Sequence, residues 1–141
     1  MNSMNPKKKV EEAVRDVLKR EKNIEVGYIY GSFAKGSEEP RDIDVGVVVK
    51  EPSKAGNDPY FESELGLKIE EKLKSGLPVE VRVLNNAGMR FKNQVIRHGK
   101  AVFTRNEKDR VSFETIARSN YFDFRPFMRE YERFRAKRFG L

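Results

Sequence analysis

Between Lys7 and Lys22 the apolar residues Val10, Ala13, Val14, Val17 and Leu18 recur at the three- and four-residue spacing of one buried helical stripe. Glu11, Glu12, Arg15, Asp16 and Lys19 fall on the opposite, wet face, and Asn23 offers a stop. The period then changes to two. Ile24 to Tyr30 is rich in β-branched and aromatic residues and predicts a strand that ends at Gly31. Asp42 to Val49 predicts a second strand, and its nearly continuous apolar end, VGVVV, fits a strand covered on both faces. Glu51 to Asp58 reads as a loop, with Asp58 capping a helix that opens on Pro59. That helix runs to about Lys74, buries Phe61, Leu65, Ile69 and Leu73, and closes at Gly76. Pro78 to Leu84 alternates Val79, Val81 and Val83 against Glu80 and Arg82, the pattern of a half-buried third strand.

The remainder is helical in pattern. Asn85 to Arg97 predicts a short helix ended by Gly99, and Ala101 to Thr104 a short edge strand. Asp109 to Phe139 reads as a long helix rich in phenylalanine and arginine, which Pro126 should kink or break. The order helix, strand, strand, helix, strand, helix, helix predicts an α+β, mixed α/β fold over one small sheet. The first two strands, joined by a loop of roughly ten residues, are candidates for antiparallel pairing.

Composition narrows the chemistry more than the fold. The 141 residues suit one domain spanning 1–141, with a C-terminal helical segment from about 107 to 141 that packs on it or docks a partner. Cysteine is absent and His98 is the single histidine, which excludes disulfides, thiolate sites and histidine-cluster metals. A metal here must take oxygen ligands, as Mg²⁺, Mn²⁺ and Ca²⁺ do. The basic start lacks the apolar run of a signal peptide, and no stretch approaches membrane-spanning length, so the expectation is a cytoplasmic protein without membrane contact. The net charge of +7 favours anionic partners such as nucleotides or nucleic acid, or serves solubility alone.

Asp42 and Asp44 lie one residue apart on a strand, so their side chains share a face. Their repulsion is relieved by a divalent cation, or by water if this is a solvated strand end. Glu80 stands on the non-valine face of the third strand. If that strand neighbours the second, three carboxylates can hold two metal ions, one activating a hydroxyl and one binding a triphosphate. The alternative is a surface pair of Glu80 with Arg82. Gly31 and Ser32 follow the first strand directly, where glycine permits close approach of a phosphate and backbone N–H groups of a helical turn can face it. Lys35 adds a phosphate-binding charge. His98 reads as a helix-end histidine. The tail aromatics, among them Tyr121, Phe122 and Phe127, fit packing or partner contact better than base stacking.

Gly31-Ser32, nine residues from 33 to 41, and Asp42-Ile43-Asp44 together resemble the signature of the DNA polymerase beta-like nucleotidyltransferases. The short chain and the GSFAKG form are most similar to the minimal nucleotidyltransferase (MNT) family. VEVRVLNNA, VIRHGKAVF and the tail around Arg110, Phe113, Tyr121 and Asp123 resemble that family's later elements. The resemblance implies a small mixed sheet with helices mainly on one face, plus a C-terminal helix. It implies Mg²⁺-dependent transfer of a nucleoside monophosphate, AMP from ATP, with Gly31, Ser32 and Lys35 on the triphosphate. Asp42, Asp44 and Glu80 would be the catalytic metal ligands. Lys35 stands where the family often has arginine, and Glu80 where it usually has aspartate. The family's members are commonly antitoxins that AMPylate a tyrosine of a HEPN ribonuclease toxin, which would here be a separate chain in a hetero-complex. The rival readings are a binding module of the same fold that neutralises by contact, and a nucleic-acid-binding protein.

Overall fold

The structure, a computed structural model, describes residues 5–140. The expectation that the start carries no leader falls partly on residues 1–4, outside the described ones. Helix α1 (Pro6–Lys19) is capped by the Asn5 side chain, which accepts from the Lys7 N–H, and it buries the five residues of the predicted stripe. It stops three residues short of Lys22. Asn23 instead ties the next turn to the sheet, exchanging hydrogen bonds with the backbone of Glu51 at 2.8 and 3.1 Å.

Strand β1 (Ile24–Tyr30) leads into the one-turn helix α2 (Gly31–Ala34), and strand β2 (Ile43–Val49) follows. The segment read as a loop contains a short helix, α3 (Pro52–Gly56). Asp58 and Pro59 do not start the next helix. The Asp58 carboxylate accepts from the Tyr60 N–H at 3.0 Å in a local turn, so α4 (Phe61–Leu73) begins after it. Its end is formed by Lys74 in the left-handed conformation, ahead of Gly76. Strand β3 (Val79–Val83) precedes α5 (Met89–His98). The latter starts later than Asn85, because the Asn85 side chain is engaged elsewhere. It accepts from the Val49 N–H and donates to the Val49 carbonyl at 2.9 and 2.8 Å, continuing the pairing with β2 beyond the end of β3. Strand β4 (Lys100–Thr104) and helix α6 (Glu107–Arg138), capped by Asn106, complete the fold.

The sheet order is β3-β2-β1-β4, with β1 antiparallel to both its neighbours and β2 parallel to β3. Helices α1 and α4 cover one face. Val14, Leu18, Ile24, Ile43, Val47 and Ile69 are fully buried there. Each such side chain contributes about 1.5–3 kcal/mol by leaving water. On the other face a smaller cluster of Val26, Tyr28, Val48, Leu84 and Val95 lies under α5 and the first half of α6. Tyr28 donates to the buried Glu114 carboxylate at 2.9 Å, and Arg110 and Arg118 donate to it at 2.7 and 3.1 Å, which fastens α6 to the sheet. Pro126 does not break α6, which runs as one helix to Arg138. Its missing N–H leaves the Phe122 carbonyl without an intrahelical donor. Among the described residues no helix is long and apolar enough to cross a membrane.

Candidate active site

The second face of the sheet is open at one end, where β1 stops and β2 starts. Tyr30 pairs with Asp44 across the antiparallel ladder, and Asp44 pairs with Glu80 across the parallel one. Paired residues point to the same face, so Tyr30, Asp44 and Glu80 form one row across three strands. Asp42 precedes β2 and joins them. One carboxylate oxygen from each of Asp42, Asp44 and Glu80 lies within 4.8 Å of the others. The two aspartates are partly buried and Glu80 is exposed. None of the three forms an ion pair with a described lysine or arginine.

Uncompensated charge at this separation is costly. Two carboxylates so placed repel by roughly 3 kcal/mol at an effective dielectric of about 20, less where water reaches Glu80. The cost falls on Asp44. Burial raises its pKa, and the charges of Asp42 and Glu80 raise it further against the opposing Arg82 guanidinium. Tyr30 is pushed up to about 12, chiefly by burial and then by Asp44, again with Arg82 opposing. An all-oxygen cluster in which no carboxylate is ion-paired suits a hard divalent cation, so Asp42, Asp44 and Glu80 could hold one.

Gly31 turns the chain beside this cluster at φ 79°, a conformation L side chains avoid. A Cβ on Gly31 would come 2.3 Å from the Asp44 Oδ2. The predicted closeness at Gly31 is therefore first an approach to a carboxylate. Ser32 and Lys35 lie on and just after α2, both exposed, and neither side chain hydrogen-bonds to a carboxylate. The structure thus brings together Asp42, Asp44, Glu80 and Gly31, and leaves Ser32 and Lys35 at the rim. His98 ends α5, exposed.

Two neighbours were not predicted as parts of the site. Tyr30 forms the end of the carboxylate row, and its ring meets Phe91 of α5 edge-on at 5.5 Å. Arg82 does not pair with Glu80. Its guanidinium lies over the Phe91 ring, 5.0 Å from the centroid, where it offsets the charge at Asp44. The strand alternation already placed Arg82 on the face of Glu80, so its presence was readable although its partner was not.

The mixed four-stranded sheet thus carries its paired carboxylates at the mouth of β2. Residues 12–108 match the family model described as polymerase beta, nucleotidyltransferase, and the chain belongs to that family. Solved structures similar in fold include a chain of the re-refined complex of tri-AMPylated Shewanella oneidensis HEPN toxin with MNT antitoxin. It is 19% identical over 89% of this chain and 98% of that one, with a TM-score of 0.66. A chain of a toxin–antitoxin structure with AMP-PNP is 21% identical over 89% of this chain and 98% of that one, with a TM-score of 0.65. A chain of the MntA–HepT toxin–antitoxin complex is 19% identical over 87% and 97%, at 0.64. At these identities the likeness is one of fold. No curated protein matches the chain.

Proposed function

We propose that this chain is a Mg²⁺-dependent nucleotidyltransferase of the MNT type, an antitoxin that moves AMP from ATP to a hydroxyl of a HEPN-family toxin. The observation that carries the reading is the carboxylate cluster at the end of the Tyr30–Asp44–Glu80 row. The family match supports nucleotidyl transfer, and the toxin–antitoxin complexes of similar fold support the acceptor class.

Asp42, Asp44 and Glu80 would hold the metal. When bound, it supplies positive charge that offsets the triphosphate and lowers the pKa of the attacking hydroxyl. Gly31 and Ser32 offer backbone N–H groups, and Lys35 a cation, to the phosphates entering at the rim. The acceptor oxygen forms a bond to the α-phosphorus, the bond to the bridging oxygen breaks, and pyrophosphate leaves. The hydroxyl proton departs toward Glu80, the member of the cluster open to water. Arg82, fixed over Phe91, holds positive charge beside Asp44.

Incubation with a HEPN-family protein, ATP and MgCl₂, followed by intact mass measurement, tests this reading. The acceptor should gain the mass of AMP, and Asp44→Asn should abolish the gain. An adduct unaffected by that substitution, or none with the intact chain, removes the proposal. The exposed position of Glu80 and the bare aromatics of α6 favour one rival, neutralisation by contact alone. It requires that an Asp42→Asn/Asp44→Asn chain still silences the toxin in full.

A further inference from the structure

Helix α6 is two different surfaces end to end. Its first half is held by Glu114 and by Ala117, both buried. Beyond residue 120, Phe124, Phe127, Tyr131 and Phe134 follow at spacings of three, four and three, which places them on one face. All four are between 49% and 67% exposed, a larger apolar stripe than a free surface helix ordinarily carries. Phe124 and Phe127 already lie against each other, with ring centroids 6.2 Å apart. Charge surrounds the stripe. From Arg118 to Arg138 there are seven arginines and lysines against three carboxylates. Arg135 sits over the Tyr131 ring.

The geometry points to this stripe as the docking site for an acidic protein surface, that of the acceptor of the transfer reaction. It rests on the transferase reading for the acceptor's identity. Two observations select this occupant. A second copy of the chain would set two strongly basic helices side by side, whereas an acidic surface completes both the apolar seam and its rim. The helix that carries the seam is also tied to α5, the helix packed beside the carboxylate row. Glu132, next to Tyr131, pairs with Arg90 of α5, and the adjacent Phe91 touches both Tyr30 and Arg82 at the cluster. A partner seated on the seam therefore rests on a helix fastened to the element that borders the candidate site.

The test uses the full chain and a purified HEPN-family protein, with affinity measured by titration at low and raised salt. A Phe127→Ser/Tyr131→Ser chain should bind that protein about thirtyfold or more weakly while binding ATP unchanged. Arg135→Glu should weaken it about tenfold, and the intact chain should lose affinity as salt rises. Asp44→Asn should dock normally and transfer nothing. Binding by the serine variant within about threefold of the intact chain overturns the docking proposal and leaves the transferase reading standing. So does a concentration-dependent self-association that the serine variant abolishes, seen by sedimentation of the chain alone. Salt-independent binding, or no binding by the intact chain, also overturns it. Docking with no AMP adduct removes the transferase reading and keeps the docking site.

Discussion

Gly31 and Asp44 occupy what would otherwise be the same space: a Cβ on Gly31 would stand 2.3 Å from the Asp44 Oδ2. The turn after β1 and the partly buried carboxylate of β2 are therefore one unit. A methyl group at residue 31 must displace the carboxylate as well as strain a backbone held at φ 79°. Gly31→Ala is expected to destabilise the fold by about 1–2 kcal/mol. Nucleotidyl transfer should fall by at least about tenfold through displaced ligand geometry. Thermal unfolding and single-turnover transfer check the two parts.

Asp44→Asn should separate stability from activity. The Asp44 carboxyl is raised above its ordinary value by burial, Asp42 and Glu80. Such a group contributes stability that is present below its ordinary pKa and lost as pH rises through the folded value. At neutral pH without metal, the asparagine chain should therefore melt a few degrees higher than the parent. Added Mg²⁺ or Mn²⁺ should raise the parent's melting temperature and leave the variant's nearly unchanged. Scanning calorimetry with and without metal decides this.

Glu25 provides a second pH effect away from the candidate site. Burial, and then the neighbouring Asp109 carboxyl, hold its pKa above the ordinary value of 4.5. Its contribution is fully present below that value and is lost as pH rises through the raised folded one. Glu25→Gln should be close to neutral in acid and increasingly stabilising toward pH 7. Urea unfolding across that range would show a difference that grows and then levels off.

Tyr28→Phe removes the sheet's hydrogen bond to Glu114, a buried carboxylate that keeps Arg110 and Arg118. The expected loss is about 2 kcal/mol. It should appear in denaturant midpoints, with ATP binding intact.

The strands and the main helices were legible because their apolar periods are strong. Val79, Val81 and Val83 alternate cleanly, and α1 carries a full stripe. Boundaries failed where a polar side chain served a different element than its position implied. Asn85 closes the sheet rather than starting α5, and Asp58 makes a turn rather than a cap. The aspartate pair and Glu80 could be read as sharing faces, since alternation fixes that much. Their convergence depends on β2 and β3 running parallel and in the register that sets Asp44 beside Glu80, a long-range choice with no local signal. A pair of Arg82 with Glu80 was the alternative reading, since the two share a strand face. The actual partner of Arg82, Phe91, comes from a helix packed over the sheet.

Pro126 interrupts the hydrogen-bond ladder of α6 beyond its anchored segment, between Phe124 and Phe127 of the bare stripe. Helical cooperativity is carried by that ladder. The tethered segment around Glu114 and the segment beyond Pro126 thus belong to different opening units, although they form one rod. Amide hydrogen exchange in the distal turns should proceed by local fraying, decoupled from the sheet. Opening of the far half thus breaks the Arg90–Glu132 pair while the Tyr28–Glu114 tether to the sheet stays closed.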